Sequence, residues 1–289
     1  MASVASEAVE TEEGGSGECD EGEYVPSVPR EIVHEYKYTG RDGTAERTLE
    51  FGGVDMKGLV DLTTFGKVTG EALWPCSGLL ADHLSHDWKV KGEGAVSVLE
   101  LGCGLGLCGA VCAAAIGRGA NGENVVVLTD GDPGAVERAI VNAKNNYSAL
   151  DAKCRHSTLC WGDEVEIEKL RQGTVRGEGF DMIIASDIVY DEITEEMCRN
   201  LLTTVDRLLS KEYAGAQFLI SFQLRSADIT KLHEAFRRGG YDYCIPTEGE
   251  AYEDMFGNRH DEMTMFTDKY LISYTRRGDC GGVEEVVRT

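Results

Sequence analysis

Basic residues are scarce in this 289-residue chain: 28 Lys and Arg stand against 51 Asp and Glu, a formal net charge of −23. A protein that grips a phosphate backbone normally shows a basic patch or a high isoelectric point, so general nucleic-acid binding is excluded. Long apolar runs are missing too. The longest small-apolar stretch, Leu107–Gly117, is too short to cross a bilayer and is rich in Ala, Gly and Cys, so no membrane partner is expected. Ten Cys and six His form no CxxC pair and no zinc-type spacing, so no metal is expected. These thiols read as reduced. The first 23 residues hold eight acids and no Lys or Arg, the reverse of a mitochondrial presequence and unlike a secretory signal. Together these features predict a cytoplasmic protein, with the nucleus also open to it. There is no P-loop, no Ser-His-Asp order and no internal repeat.

What is present is ordinary globular composition, 42% apolar, distributed unevenly. Residues 1–29 are poor in large apolar side chains and rich in Glu, Gly and Ser, so they are expected to form a disordered acidic tail. Residues 30–276 are expected to form a single domain, and 277–289 a flexible tail. A small N-terminal β extension over about 32–63 is predicted: strands at 32–38 and 47–51 around the turn at 39–43, then a short strand at 58–63. Trp74-Pro75 opens a helix to about residue 86. From residue 96, short apolar runs alternate with helical stretches. Strands are expected at 96–101, 124–129, 153–160, 180–186, 216–222, 241–245 and 269–275. Helices are expected at 105–116, 133–146, 194–210 and 226–238. Buried strands separated by helices mean an α/β fold, a parallel sheet with helices on both faces, and such sheets bind ligands at the carboxyl ends of their strands.

The richest segment lies at one such end: Glu100-Leu-Gly-Cys-Gly-Leu-Gly-Leu-Cys-Gly109. Glycines keep a turn tight and bring a ligand against backbone N–H groups at a helix start. Gly104, Gly106 and Gly109 satisfy GxGxxG with Asp130 downstream, so a dinucleotide and a nicotinamide-dependent oxidoreductase are legitimate readings. Against them, the carboxylate of Glu100 repels a pyrophosphate and suits the ammonium of an amino-acid-like ligand.

LELGCGLGLCG resembles the first motif of class I, seven-strand, S-adenosylmethionine-dependent methyltransferases. Val127-Leu-Thr-Asp-Gly-Asp-Pro133 resembles their second motif, whose acid binds both ribose hydroxyls; Asp130 fills that role, with Asp132 as an alternative or as a helix cap. Ser186-Asp187-Ile-Val-Tyr190, after the strand FDMIIAS, resembles the DxxY signature of methyltransferase family 16, as do Leu73-Trp74-Pro75 and Trp161-Gly162. The resemblance implies a Rossmann-like, mostly parallel sheet of seven strands with an antiparallel last strand. It also implies S-adenosyl-L-methionine as cofactor, with S-adenosyl-L-homocysteine as product. Glu100, Gly102, Gly104 and Gly106 are then expected at the methionine end, Asp130 at the ribose, Trp161 beside the adenine, and Trp74 and Ser186 also against the cofactor.

Members of family 16 mostly methylate protein lysines, which makes Asp187 and Tyr190 the expected acceptor residues. A lysine amine of pKa about 10.4 costs about 4 kcal/mol to deprotonate near neutral pH. A neighbouring positive sulfonium offsets up to about 4 kcal/mol of that at 4 Å and an effective dielectric of 20. A carboxylate pulls the other way, so Asp187 is expected to capture and orient the nitrogen, with Tyr190 offering a ring face and a hydroxyl. The acidic stretch 246–268 is expected to recruit a basic, lysine-bearing protein surface to a monomeric enzyme. The rival functions are methylation of a small molecule or a protein histidine, the oxidoreductase already named, and a non-catalytic binding module.

Overall fold

Neighbouring residues of an apolar strand face opposite ways, so a run such as Val98-Leu99 needs helices on both sides of its sheet. The computed structural model describes residues 4–5, 30–39, 46–55, 70, 72–86, 95–116, 124–146, 148, 150, 152–172, 174, 179–189, 193–223, 229–244 and 269–278, and it shows that arrangement. The chain opens with β1 (Val4–Ala5), β2 (Arg30–Thr39) and β3 (Glu46–Asp55), then α1 (Pro75–His86). The alternating part runs β4 (Ser97–Leu101), α2 (Leu107–Ala115), β5 (Val125–Asp130), α3 (Pro133–Asn145), β6 (Lys153–Thr158) and α4 (Glu164–Gln172). It continues with β7 (Met182–Ser186), α5 (Glu195–Leu208), β8 (Gln217–Gln223), α6 (Thr230–Arg238), β9 (Tyr241–Cys244) and β10 (Lys269–Arg276).

Seven strands form one sheet in the order β6-β5-β4-β7-β8-β10-β9. The pairs β4–β5, β5–β6, β4–β7 and β7–β8 are parallel, and the last strand, β10, runs antiparallel between β8 and β9. The Rossmann-like sheet expected from the sequence is therefore present. Helices cover both faces: Leu80, Cys108, Cys112 and Ala139 pack on one side, and Ile167, Leu201, Leu232 and Phe236 on the other. Val98 joins the first layer and Leu99 the second, so alternate residues of one strand feed two cores. The chain leaves β4 toward β5 and β6 and later returns to β7 on β4's other side. That reversal opens a crevice between the loops after β4 and β7.

The helix starts are fixed locally. Asp132 caps α3 by accepting from the Gly134 N–H at 2.9 Å, with Pro133 following. Thr194 caps α5 through the Met197 N–H at 3.1 Å. Helix α4 was not expected, although Asp163 accepts from the N–H groups of both Val165 and Glu166 at 2.9 Å. Its apolar side is only Ile167 and Leu170, too narrow a stripe to stand out among charges.

The strands β2 and β3 form a separate antiparallel hairpin, with Val4 and Ala5 paired to Tyr36 and Glu35. Leu49, Phe51 and Tyr36 pack on Ala81, Leu105 and Val111, so the hairpin seals the α1–α2 side of the domain. The expected strand at 58–63, the acidic loop 246–268 and the tail 1–29, apart from Val4–Ala5, lie outside the described residues. Among the described residues no helix is long and apolar enough to cross a membrane.

Candidate functional site

The loop after β4 turns sharply because alternate residues are glycines in left-handed backbone: Gly102, Gly104 and Gly106 have φ of 66, 48 and 81°. Two positions show why no side chain is tolerated. A Cβ on Gly102 would lie 2.5 Å from Cγ2 of Ile188, on the loop after β7. A Cβ on Gly109, in the first turn of α2, would lie 2.5 Å from Oε2 of Glu100 and 2.8 Å from Cγ of Leu128.

Glu100 uses that vacated space. Its Oε2 accepts the Gly109 N–H at 2.9 Å, and the residue is 1% exposed. The sequence reading expected it at the methionine end; the structure turns it beneath the loop, into the start of α2. Burial pushes its pKa up to about 8, the Gly109 N–H pulls it down, and the nearby charge of Asp130 raises it again. At neutral pH it is thus mostly a neutral acid.

Asp130 is the last residue of β5 and stands beside the same loop. Its Oδ2 accepts from the Gly104 N–H and its Oδ1 from the Asp132 N–H, each at 3.0 Å. Burial, the largest influence, raises its pKa, opposed by those backbone donors and Gly131. Two carboxylate oxygens offer about four acceptor sites and three backbone donors use most of them, so capacity remains for a ligand hydroxyl. Leu159, just past β6, donates its N–H to the Asp130 carbonyl at 2.9 Å, which brings the turn carrying Trp161 alongside. Trp161 is half-buried against the α5-side core, and Gly162 anchors its turn by donating to Thr204 Oγ1 at 2.9 Å.

On the far side of the crevice, Asp187 follows β7 directly. It is the one non-glycine residue with positive φ among the described residues, at 53°, and is 5% exposed. Its N–H donates to the Ser221 carbonyl at 2.8 Å, and its Oδ1 accepts the Gln223 N–H at 3.2 Å. A left-handed L-residue costs about 1–2 kcal/mol, and such strain concentrates at functional sites. The kink throws Ile188 over Gly102, so the two loops touch. Tyr190 lies outside the described residues.

Trp74 and Ser186 are joined through α2. The Trp74 carbonyl accepts from Ser77 Oγ at 2.6 Å, Cys108 Sγ donates to the Ser77 carbonyl at 3.4 Å, and Cys108 Sγ also lies 3.6 Å from Ser186 Oγ. The Cys108 thiol thus bridges the Trp74 segment to β7. Sequence reading missed Glu166. Its Oε2 accepts the Cys160 N–H at 2.7 Å and so braces the Trp161 turn. The Asp163-x-x-Glu166 spacing was the available signal.

The glycine cradle, the acid at the next strand tip and the turn bearing Trp161 lie on one edge of the sheet, facing Asp187 across the crevice. Comparison with known proteins decides the family. The sequence model of the family described as lysine methyltransferase matches residues 58–236, more than half of the chain. The chain belongs to this family. Membership of this family implies a class I methyltransferase with S-adenosyl-L-methionine as cofactor. A calmodulin-lysine N-methyltransferase of Arabidopsis thaliana is 26% identical over 191 residues, which cover 66% of this chain and 56% of that protein. This chain therefore spans little more than half the length of that relative. Among solved structures, a methyltransferase complexed with S-adenosylhomocysteine matches at 12% identity and TM-score 0.48, over 87% of this chain and 57% of the other. A SAM-dependent methyltransferase from Agrobacterium tumefaciens matches at 15% identity and TM-score 0.43, over 79% and 67% respectively.

The residues present fit the cofactor. Gly102, Gly104 and Gly106 turn the loop through left-handed backbone, and Asp130 keeps acceptor capacity at the strand tip. Gly102, Gly104 and Gly106 would hold its amino-acid end, Asp130 its ribose and Trp161 its base.

Proposed function

We propose that this methyltransferase transfers a methyl group to a lysine side-chain amine of a protein substrate. The observation that carries the reading is the contact between the two halves of the site: the strained Asp187 turn packs Ile188 on Gly102 of the cofactor loop. An acceptor held at Asp187 therefore lies next to the cofactor loop. The family description and the calmodulin-lysine relative favour lysine as that acceptor.

When bound, the cofactor supplies an activated methyl group on a cationic sulfur. The protein's part is to bind and orient. Asp187 presents a carboxylate whose position is fixed by the Gln223 N–H, and it attracts and aligns the lysine ammonium, which must release a proton to solvent before its nitrogen has a lone pair for methyl transfer. Tyr190 is assigned to that same amine as an aromatic face. The helices that follow the parallel strands start with Asp132, Asp163, Glu195 and Glu196, Glu164 being paired with Arg207 at 3.0 Å, while Lys144, Lys169 and Arg171 stand in last turns. That polarity supports a basic segment as substrate.

The test uses labelled S-adenosylmethionine and a proteome from cells lacking the enzyme, with the modified residue located by mass spectrometry. Label on lysine is expected; label confined to small molecules or to histidine would reject the reading. Asp187→Asn tolerates the left-handed backbone and removes the charge. It should bind S-adenosylhomocysteine within about twofold of wild type and lose about 100-fold or more in transfer, within the range typical of a lost transition-state contact. Full activity in that variant would remove Asp187 from the acceptor site.

A further inference from the structure

We infer that Asn142 is a positioning residue for cofactor binding, and that through it the N-terminal hairpin is a working part of the cofactor site. The hairpin is held by an unusual device. One edge of β3 pairs with β2. At Glu50 and Gly52 the other edge meets two asparagines of α3 instead of another strand. Asn146 Oδ1 accepts the Glu50 N–H at 2.9 Å, and its Nδ2 donates to the Glu50 carbonyl at 2.7 Å. Asn142 Oδ1 accepts the Gly52 N–H at 2.9 Å, and its Nδ2 donates to the Gly52 carbonyl at 3.3 Å. Each side-chain amide thus stands in for a peptide group of a neighbouring strand.

The spacing makes this possible. Residues four apart on a helix are displaced by about 6 Å along its axis. Residues two apart on a strand are displaced by about 6.6 Å. Asn142 and Asn146 therefore match Glu50 and Gly52 almost in register, and they cover an edge that would otherwise expose unpaired backbone groups.

The two asparagines differ in one respect. Asn142 Nδ2 also donates to the carbonyl of Leu105 at 3.0 Å, whereas the extra bond of Asn146 goes back to the Asn142 carbonyl, within its own helix. Leu105 lies between Gly104, whose N–H holds Asp130, and Gly106, which begins α2. Asn142 is 1% exposed and uses both donors and its acceptor, so a single amide grips the hairpin and the glycine loop together. The Leu105 side chain is buried with Leu49 and Phe51 of the hairpin, which gives the same loop an apolar contact with the same element. A loop whose ligand-facing N–H groups must keep their direction depends on such support from behind.

The experiment measures S-adenosylhomocysteine affinity by calorimetry on full-length protein carrying Asn142→Ala, Asn142→Asp or Asn146→Ala, with thermal melts alongside. Asn142→Asp keeps the acceptor for Gly52, removes the donor to Leu105 and Gly52, and sets a carboxyl oxygen against their carbonyls. Both Asn142 variants should weaken binding about tenfold and raise the cofactor KM by a similar factor, with the KM for protein substrate unmoved. Asn146→Ala loosens the hairpin without touching the loop and should stay within about twofold of wild type. Folded Asn142 variants that bind like wild type would overturn the inference, as would an Asn146→Ala loss equal to that of Asn142→Ala. If the Asn142 variants do not fold, amide exchange on wild type decides. S-adenosylhomocysteine should then slow exchange at Glu50 and Gly52 more than at Cys244 and Ser273, on the far edge of the sheet. Equal slowing at both places overturns the inference. Wild-type protein that fails to bind S-adenosylhomocysteine would instead refute the cofactor assignment.

Discussion

Glu100 couples the stability of the cofactor loop to pH in a direction opposite to most carboxylates. In the unfolded chain its pKa is about 4.5; in the fold, burial foremost raises it to about 8. Between those values the folded protein keeps a proton that the unfolded chain has released. The stability from this group is therefore complete below about pH 4.5 and is lost as pH rises through about 8. Each pH unit in that window is worth about 1.4 kcal/mol, so the whole span is on the order of 5 kcal/mol, and pH 6 to 8 on the order of 2–3 kcal/mol. For a domain of this size a change of 1 kcal/mol moves Tm by about 2–4 °C, so that interval should cost about 4–12 °C. Glu100→Gln isolates the effect, because its amide oxygen can still accept the Gly109 N–H. Thermal unfolding of both proteins from pH 5.5 to 8.5 gives the comparison. The Tm of wild type should fall relative to that of the variant as pH rises. Parallel profiles would show that Glu100 titrates normally in the fold, and the account of its burial would be wrong.

The burial of Glu100 also marks where sequence reasoning stops. The layout of the segment is legible in sequence: a strand, a glycine turn, an acid at the next strand tip and Asp187 directly after β7, because each is a local pattern with its own spacing. The direction of a side chain is not local. Whether Glu100 points to the ligand or under the loop depends on Gly109 nine residues on, whose missing Cβ vacates the space. The same holds for Asn142 and Asn146, which read as ordinary polar residues of an amphipathic helix until a strand 90 and 96 residues earlier is laid against them. Helix α4 was missed for the opposite reason. Its signal was local, but two apolar residues among charges gave too weak a period. The positive φ of Asp187 could not be read from sequence either, since Asp visits that region only where surrounding contacts impose it.

Two further predictions concern the far edge of the sheet and the mouth of the site. Arg276 ends β10 and caps α5: its guanidinium donates to the carbonyls of Asp206, Leu209 and Ser210 at 3.0, 3.1 and 2.7 Å and lies 5.5 Å above the Tyr241 ring. Arg276→Ala should cost about 2–4 kcal/mol in denaturant unfolding, and Arg276→Lys should recover less than half, because an ammonium cannot span three carbonyls; full recovery by Lys would reduce the role to charge. The last prediction follows from charge placement. Acids at the starts of α3, α4 and α5 follow the carboxyl ends of the parallel strands, so the basic substrate segment proposed above should be drawn by a field that salt can screen. The screening length falls from about 10 Å at 0.1 M salt to about 3 Å at 1 M, which removes attraction between groups not in contact. Raising salt from 0.05 to 0.5 M should therefore lift the KM for protein substrate several-fold and leave the cofactor KM nearly unchanged, because the contacts assigned to the cofactor, backbone groups and Asp130, act at short range. Glu195→Gln with Glu196→Gln should flatten that salt dependence, since these residues sit in the first turn of α5, close after the Asp187 loop. A substrate KM indifferent to salt in wild type would mean that recognition rests on shape and apolar contact, and the acidic rim would then serve only the helix dipoles.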